Sequence, residues 1–441
     1  MSEAILIRGG RVIDPGAGFD GQADVLVREG VVAAIGEGLS REGVRIVEAR
    51  GCIVAPGFID LHAHLREPGF EQKGTIATET AAALRGGFTT ICAMPNTLPA
   101  PDSASIVEAL RERIVRDARV RVLPIGCVTR AREGKQLAEL SELAAAGCIA
   151  FSDDGSPVAD GWLMRHALEL AGALGVPLSE HCDDPSLNHG GVMNEGAVSE
   201  RLGLSGQPAS AEVSAISRNI ALCETTGARL HIAHVTTARG LELVADAKRR
   251  GLPITCEVTP SHLFLTEDAI FGTGRAPAYD TNAKINPPLR TEADRQALLR
   301  GVNEGIVDAI ATDHAPHAIE DKLCEFEDAS PGISCFETAL GTLMTSVARG
   351  ELALPAVLRA LTIRPARAFA IDSRIPGAGS LTISVSTDIT VFSPTEGWTV
   401  DPQRFASKGR NTPLGGQELQ GRVRAVIIRG ALALFEEAAH A

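Results

Sequence analysis

The residues of this chain best suited to chemistry are two imidazoles one position apart. In Asp60-Leu61-His62-Ala63-His64 the two-residue period of a strand turns Asp60, His62 and His64 to one face. Both rings then meet at one centre, which is the spacing of a pair of metal ligands. The same residue types recur where other short apolar runs end. Asp154 closes Phe151-Ser152-Asp153-Asp154, His181 lies at the end of the run 176–182, His234 closes Leu230-His231-Ile232-Ala233-His234, and Asp313 follows Thr312. Alternation allows only one histidine of the 230–234 run to face that centre. His234 is the expected ligand, and His231 is expected to pack outward against helices as a structural histidine.

Four imidazoles with the carboxylates of Asp154 and Asp313 form a nitrogen and oxygen donor set without thiols, suited to zinc as one ion or two. Such a site lowers the pKa of bound water toward neutrality and polarises a carbonyl, so metal-assisted hydrolysis without a protein nucleophile is the expected chemistry. Arg66, two residues past the histidine pair, and Asn96, at the end of Ala93-Met94-Pro95-Asn96, add a guanidinium fork and an amide that suit a substrate carboxylate.

Positioning these groups requires a scaffold that brings many strand ends together. From about Ala55 onward, short β-rich runs alternate with Ala/Leu-rich segments that end in glycine, a pattern of repeated βα units. Strands are predicted at 57–64, 88–95, 119–127, 148–154, 176–182, 229–235, 253–260 and 306–313, with helical stretches between them. Eight such units predict a closed (β/α)8 barrel, in which the ligating residues all fall at the C-terminal ends of strands, the active-site face.

Both ends of the chain read differently. The first 55 residues show strand and hairpin patterning, and after helical residues 334–370 the runs SLTISVSTDITVFSP and VRAVIIRGALALF return to it. Each end alone has too few strands for independent stability. They are expected to combine as a discontinuous β-sandwich satellite, with parts at 1–55 and 371–441 flanking a catalytic barrel at 56–370.

Composition narrows the partners. The chain has 441 residues, 44% hydrophobic and 22% charged, which excludes wholesale disorder. With 42 basic and 55 acidic residues the net charge is −13, so no nucleic-acid partner is expected. No apolar run is long enough to span a bilayer, Glu3 and Arg8 stand where a signal peptide would be apolar, and nine scattered cysteines without a CxxC pair read as reduced thiols. A cytoplasmic protein is expected, with no membrane partner.

Taken in order, GFIDLHAHLREPG, AMPNT, FSDDG, the strand-end His181, HIAHV, CEVTPSH, INPPLR, ATDHAPH and PGISCFET make the chain closely resemble the cyclic amidohydrolases, and among them the bacterial class I dihydroorotases. The resemblance covers nearly the whole chain. It implies two zinc ions per subunit, one on His62, His64 and Asp313, the other on His181 and His234, with Asp154 bridging them. It places substrate contacts at His64, Arg66, Asn96, Asn286 and His317 and at the backbone of Pro331 and Gly332, and makes Asp313 the catalytic proton carrier. The implied reaction is the reversible cyclisation of N-carbamoyl-L-aspartate to (S)-dihydroorotate and water in pyrimidine (UMP) synthesis. It also implies a homo-oligomer, with aspartate carbamoyltransferase as a candidate partner.

Two relatives of the same fold stand as alternatives. Hydantoinases, dihydropyrimidinases and allantoinases usually bridge their metals with a carboxylated lysine, where this chain offers Asp153 and Asp154. Non-catalytic dihydroorotase-like chains serve as structural partners of aspartate carbamoyltransferase and have lost metal ligands, whereas every ligand position here is filled. Departures from the family pattern are Ser261, where relatives often place a second histidine, and the late PGISCFET.

Overall fold

A computed structural model describes residues 4–272 and 278–436. Eight short strands, Phe58–Ala63, Phe88–Ala93, Arg121–Gly126, Ala150–Phe151, Leu178–Glu180, Leu230–Ile232, Ile254–Val258 and Ala309–Ile310, lie side by side in chain order in one sheet. Neighbouring strands pair in parallel. The ends of this sheet meet through a parallel bridge between Ala63 and His314, with Asp313 N–H donating to His62 O and His64 N–H to His314 O, both at 2.9 Å. The eight strands thus form a nearly closed barrel, as the alternation predicts.

Helices between the strands start and stop where local chemistry requires. The helix Gly161–Leu174 begins at Asp160, whose carboxylate accepts the Trp162 and Leu163 N–H groups, and ends at Gly175 in the left-handed region (φ 66°). Its buried residues Leu163, Met164, Ala167, Leu168 and Ala171 recur at the helical period and pack toward the strands.

The two chain ends share a second sheet. Strands Ala4–Asp14, Phe19–Arg28, Val31–Gly36, Val44–Glu48 and Ile53–Pro56 join Ile389–Thr399, Glu418–Ile428 and Ala431–Phe435. The seam is the antiparallel pairing of Ile53–Pro56 with Ile389–Phe392. Ile7, Val25, Val54, Val391 and Ile427 fill the core beneath it.

One predicted run departs from strand. Residues 380–388 of SLTISVSTD form an irregular connection whose one β-bridge to the sheet, among the described residues, is Val32–Ile383. Its alternating residues are mostly small and polar and bury little apolar surface, and it is fixed instead by a carboxylate. Asp14, 1% exposed, accepts Gly16 N–H (2.8 Å) and Ala17 N–H (3.1 Å) in its own turn and Ser380 hydroxyl (2.9 Å) and Leu381 N–H (2.6 Å) across the seam. Asp14→Ala strands a buried Leu381 amide, so it is expected to lower unfolding free energy by about 1–3 kcal/mol. Equilibrium urea unfolding checks this, and an unchanged midpoint would show that the latch contributes nothing.

Candidate metal centre and substrate pocket

His62 ends the first barrel strand wholly buried, and the geometry leaves one of its nitrogens waiting. Its Nδ1 lies 2.7 Å from Glu257 Oε1, while its Nε2 is buried without a hydrogen-bond partner. A buried imidazole nitrogen with no partner is costly unless something ligates it. His64 is oriented the same way, with Nδ1 2.8 Å from Asn96 Oδ1 and Nε2 2.9 Å from Asp313 Oδ1. Once the carboxamide oxygen of Asn96 holds the His64 N–H, its NH2 group is free to donate into the pocket.

The other expected ligands converge on the same volume. The donor atoms of His62, His64 and Asp154 lie within 4.8 Å of one another, and so do those of Asp154, His181 and His234. Asp154 belongs to both groups: its Oδ1 is 3.4 Å from His62 Nε2, 3.4 Å from His234 Nε2 and 3.8 Å from His181 Nδ1, and its Oδ2 is 3.6 Å from His64 Nε2. Asp313 Oδ1 is 3.5 Å from His62 Nε2. The neighbouring Asp153 takes no part. It turns away to accept the Val128 and Thr129 amides. An orphaned imidazole nitrogen and four imidazoles around two carboxylates fit a metal ion, and this cluster is a metal site.

Electrostatics favour the ligating forms of His181 and Asp313, while the carboxylates around His62 favour a positive charge at that point. Burial and the adjacent His234 push His181 down to about 3, which keeps it neutral. Burial opposes charge on His62, yet the carboxylates of Asp154, Asp313 and Glu257 outweigh it and hold its pKa well above the usual value. Asp313 stays below the ordinary carboxylate range despite burial, through His62 and His64. His234 (φ 31°), Asp313 (φ 49°) and Arg66 (φ 68°) all adopt the left-handed region. Such backbone costs about 1–3 kcal/mol per residue and clusters at functional sites.

A pocket of about 340 Å³ opens over the cluster and is lined by Arg66, Asn96, Asn286, His317, Pro331 and Gly332. All seven expected substrate-side positions, His64 included, are therefore brought together beside Asp313. Arg66 Nε donates to Pro316 O (3.1 Å), and His317 Nε2 donates to Pro331 O (2.9 Å). Gly332 N–H is already given to Lys284 O (2.9 Å), which leaves carbonyl lone pairs at 331 and 332 for a ring. A larger cleft of about 640 Å³ between Arg85, Trp398 and Arg422 contains none of the converging ligands. Chemistry, not volume, locates the site.

His231 is the structural histidine that the sequence reading expects, but it faces elsewhere. It is buried, but its Nδ1 meets Thr255 Oγ1 (2.8 Å) and its Nε2 meets Glu257 Oε2 (3.1 Å), and Glu257 turns its other oxygen to His62. It is a satisfied structural histidine that stands behind the metal cluster, not outward against the helices. The strict alternation fails because the strand ends at Ile232 and the chain turns at His234.

Several contributors were not singled out from sequence. Glu257 joins His231 to His62, and its only signal is a carboxylate inside a short β-rich strand, Ile254–Val258. Lys73 and Arg132 also line the pocket. Lys73 reaches Asp321 (3.2 Å), and Arg132 donates to Asp154 O. Both sit on loops whose sequence carries no period. Glu79, in the helix Ile76–Arg85, holds His314 Nε2 at 2.7 Å and so braces the residue after Asp313. Ser261 lies away from the cluster, and His262 beside it is occupied by Thr259 Oγ1 (2.8 Å) and Pro287 O (3.1 Å).

Comparison with known proteins agrees with this geometry. The family described as Dihydro-orotase-like matches residues 51–239. A dihydroorotase of Anaeromyxobacter sp. (strain K) is 48% identical over 433 residues, covering 98% of each chain. One of Syntrophus aciditrophicus (strain SB) is 44% identical over 435 residues, covering 98% of this chain and all of the relative. In fold, the L-hydantoinase (dihydropyrimidinase) of Arthrobacter aurescens superposes with a TM-score of 0.86 at 23% identity, covering 100% of this chain and 98% of that one. With relatives this similar along its whole length, and with both the barrel and the histidine–aspartate cluster in place, the chain belongs to the dihydroorotase family.

Proposed function

We propose that this protein is a zinc-dependent dihydroorotase that cyclises N-carbamoyl-L-aspartate to (S)-dihydroorotate and water, and reverses the reaction, as a step of pyrimidine nucleotide synthesis. The observation that carries the reading is the placement of Arg66, Asn96 and His317 in one pocket with the ligand cluster. A cation, an amide donor and an imidazole beside a metal centre suit a substrate with a free carboxylate, which dihydroorotate has and hydantoin or dihydrouracil lacks.

Two zinc ions would be held by His62, His64 and Asp313 and by His181 and His234, with Asp154 shared. When bound they would polarise the reacting carbonyl and lower the pKa of water. The chain's own groups do the rest. The Arg66 guanidinium, the Asn96 amide and His317 hold the α-carboxylate, and Asn286 with the backbone of Pro331 and Gly332 steadies the amide being made or broken. In ring closure, Asp313 accepts the proton that the ureido nitrogen loses as its lone pair bonds to the side-chain carboxyl carbon, and returns it to the departing oxygen, which takes its second proton from solvent and leaves as water. Ring opening runs the same transfers backward, with Asp313 delivering the proton to the leaving nitrogen.

No helix among the described residues is long and apolar enough to cross a membrane. All nine cysteines are free thiols, which supports a reducing, cytoplasmic setting. We also propose a homo-oligomer with aspartate carbamoyltransferase as a candidate partner. Exposed Leu98, Ile319 and Leu323, on the loops that carry Asn96 and His317, support a protein contact on that face.

Three measurements check these assignments. Zinc-loaded protein is expected to open dihydroorotate and to leave hydantoin, dihydrouracil and allantoin untouched in a parallel absorbance assay, and a preference for any of the latter would overturn the substrate. Arg66→Lys should raise KM for N-carbamoyl-L-aspartate by about 10-fold or more with little change in unfolding, because a point charge does not reproduce a fork-shaped contact. Steady-state kinetics with unchanged constants would remove Arg66 from the carboxylate site. Glu257→Gln, which keeps shape but loses the charge behind His62, should weaken metal affinity by about 10–100-fold, read by chelator competition. Full affinity in that variant would show that Glu257 does not tune the cluster.

A further inference from the structure

We propose that Asn411 is a positioning residue that sets the wall of the substrate pocket from outside the barrel. It lies in the connection between Ile389–Thr399 and Glu418–Ile428, the strands of the terminal sheet, and is 4% exposed. Its Oδ1 accepts the His317 N–H (2.9 Å) and the Ser334 hydroxyl (2.9 Å), and its Nδ2 donates to Ala315 O (3.0 Å) and Gly332 O (2.9 Å). Its own carbonyl accepts the Ser334 N–H at 2.8 Å. Every hydrogen-bonding position of the side-chain amide is used. All the partners fall in two short segments, 315–317 and 332–334, and these carry His317 and Gly332 of the pocket.

Those two segments are irregular backbone, held from elsewhere by Lys284 O on Gly332 N–H (2.9 Å) and Arg66 Nε on Pro316 O (3.1 Å), and tied to each other at few points. Ala315 N–H donates to Ile333 O (2.9 Å), and His317 Nε2 donates to Pro331 O (2.9 Å). Asn411 supplies the remaining crosslinks, from a third piece of chain. That piece is pressed against the first: a Cβ added at Gly409 would lie 2.5 Å from Pro316 Cβ and 2.7 Å from His317 N. Its other side is anchored where Ser407 Oγ donates to Glu79 Oε2 (2.6 Å) and Lys408 N–H to Glu79 Oε1 (3.1 Å). Glu79 holds His314, so one connection of the terminal sheet braces both ends of the His314–His317 turn. An asparagine is specifically required. An aspartate would set carboxylate oxygen against the carbonyls of Ala315 and Gly332, and a shorter side chain would leave them and the His317 amide unpartnered.

Because its partners form the pocket wall and not the metal cluster, Asn411 acts on substrate binding more than on metal or on turnover. This rests on the dihydroorotase reading, and the test separates the two. In Asn411→Asp, KM for dihydroorotate and for N-carbamoyl-L-aspartate should rise by about 10-fold or more while kcat stays within about threefold and metal content matches the parent. Hydrogen–deuterium exchange should quicken in peptides covering 313–334 and stay unchanged over 178–182. Gly409→Ala keeps the amide but lifts its support, and should give the same pattern more weakly, which covers the case in which Asn411→Asp does not fold. Unchanged KM in an active enzyme, or unchanged exchange over 313–334, overturns the assignment. A parent enzyme inert toward dihydroorotate overturns the substrate reading instead, and the exchange comparison then decides the role of Asn411 by itself.

Discussion

Imidazoles and carboxylates sit together at the buried end of a barrel, where a charge without a partner costs several kcal/mol. Several strand ends meet this with a second buried carboxylate tied to backbone amides. Asp60 accepts the His62 and Thr312 N–H groups, Asp153 those of Val128 and Thr129, Glu180 that of Val158, and Glu212 those of Thr236 and Thr237 just past His234. Glu257 does the same work through side chains, holding His62 and His231 at once. Burial raises Asp60 to about 7 and Glu180 to about 8, which shows how strongly these groups resist the interior they occupy. The ligands are thus fixed by neighbours that are themselves fixed, and those neighbours orient the imidazoles.

The same constraint explains why the barrel strands are short. The run 148–154 narrows to Ala150–Phe151 and the run 306–313 to Ala309–Ile310. Beyond those points the chain leaves regular pairing so that Asp154 and Asp313 can point across the mouth. The ladder is completed by single bridges and by side-chain carboxylates. The terminal sheet then contributes more than cover, since Ser407 and Lys408 reach from it to Glu79 and through Glu79 to His314.

Much of this was legible in the residues. Glycine-ended helical segments between β-rich runs carried the order of eight strands, because both periods are local. The ligands were legible because each ends a run, and the barrel gathers run ends on one face. Glu257 and His231 were not, since their link depends on which residues of adjacent strands stand opposite one another, and the alternation that sent His231 outward stops at Ile232. Residues 380–388 alternate like a strand but bury only Leu381 among their apolar residues, so tertiary anchoring by Asp14 decides their path. Lys73 and Arg132 enter the pocket from loops, where position is set by contacts far away in sequence.

We propose that Asp154 is shared between two metal ions and that no modified lysine is needed. Zinc-edge anomalous diffraction from protein stripped of metal and reloaded with zinc in bicarbonate-free buffer tests it directly. Two peaks are expected, both touching Asp154, one also touching His62 and His64 and the other His181 and His234. Peaks that leave Asp154 unligated, or zinc that binds only when bicarbonate is restored, would contradict it.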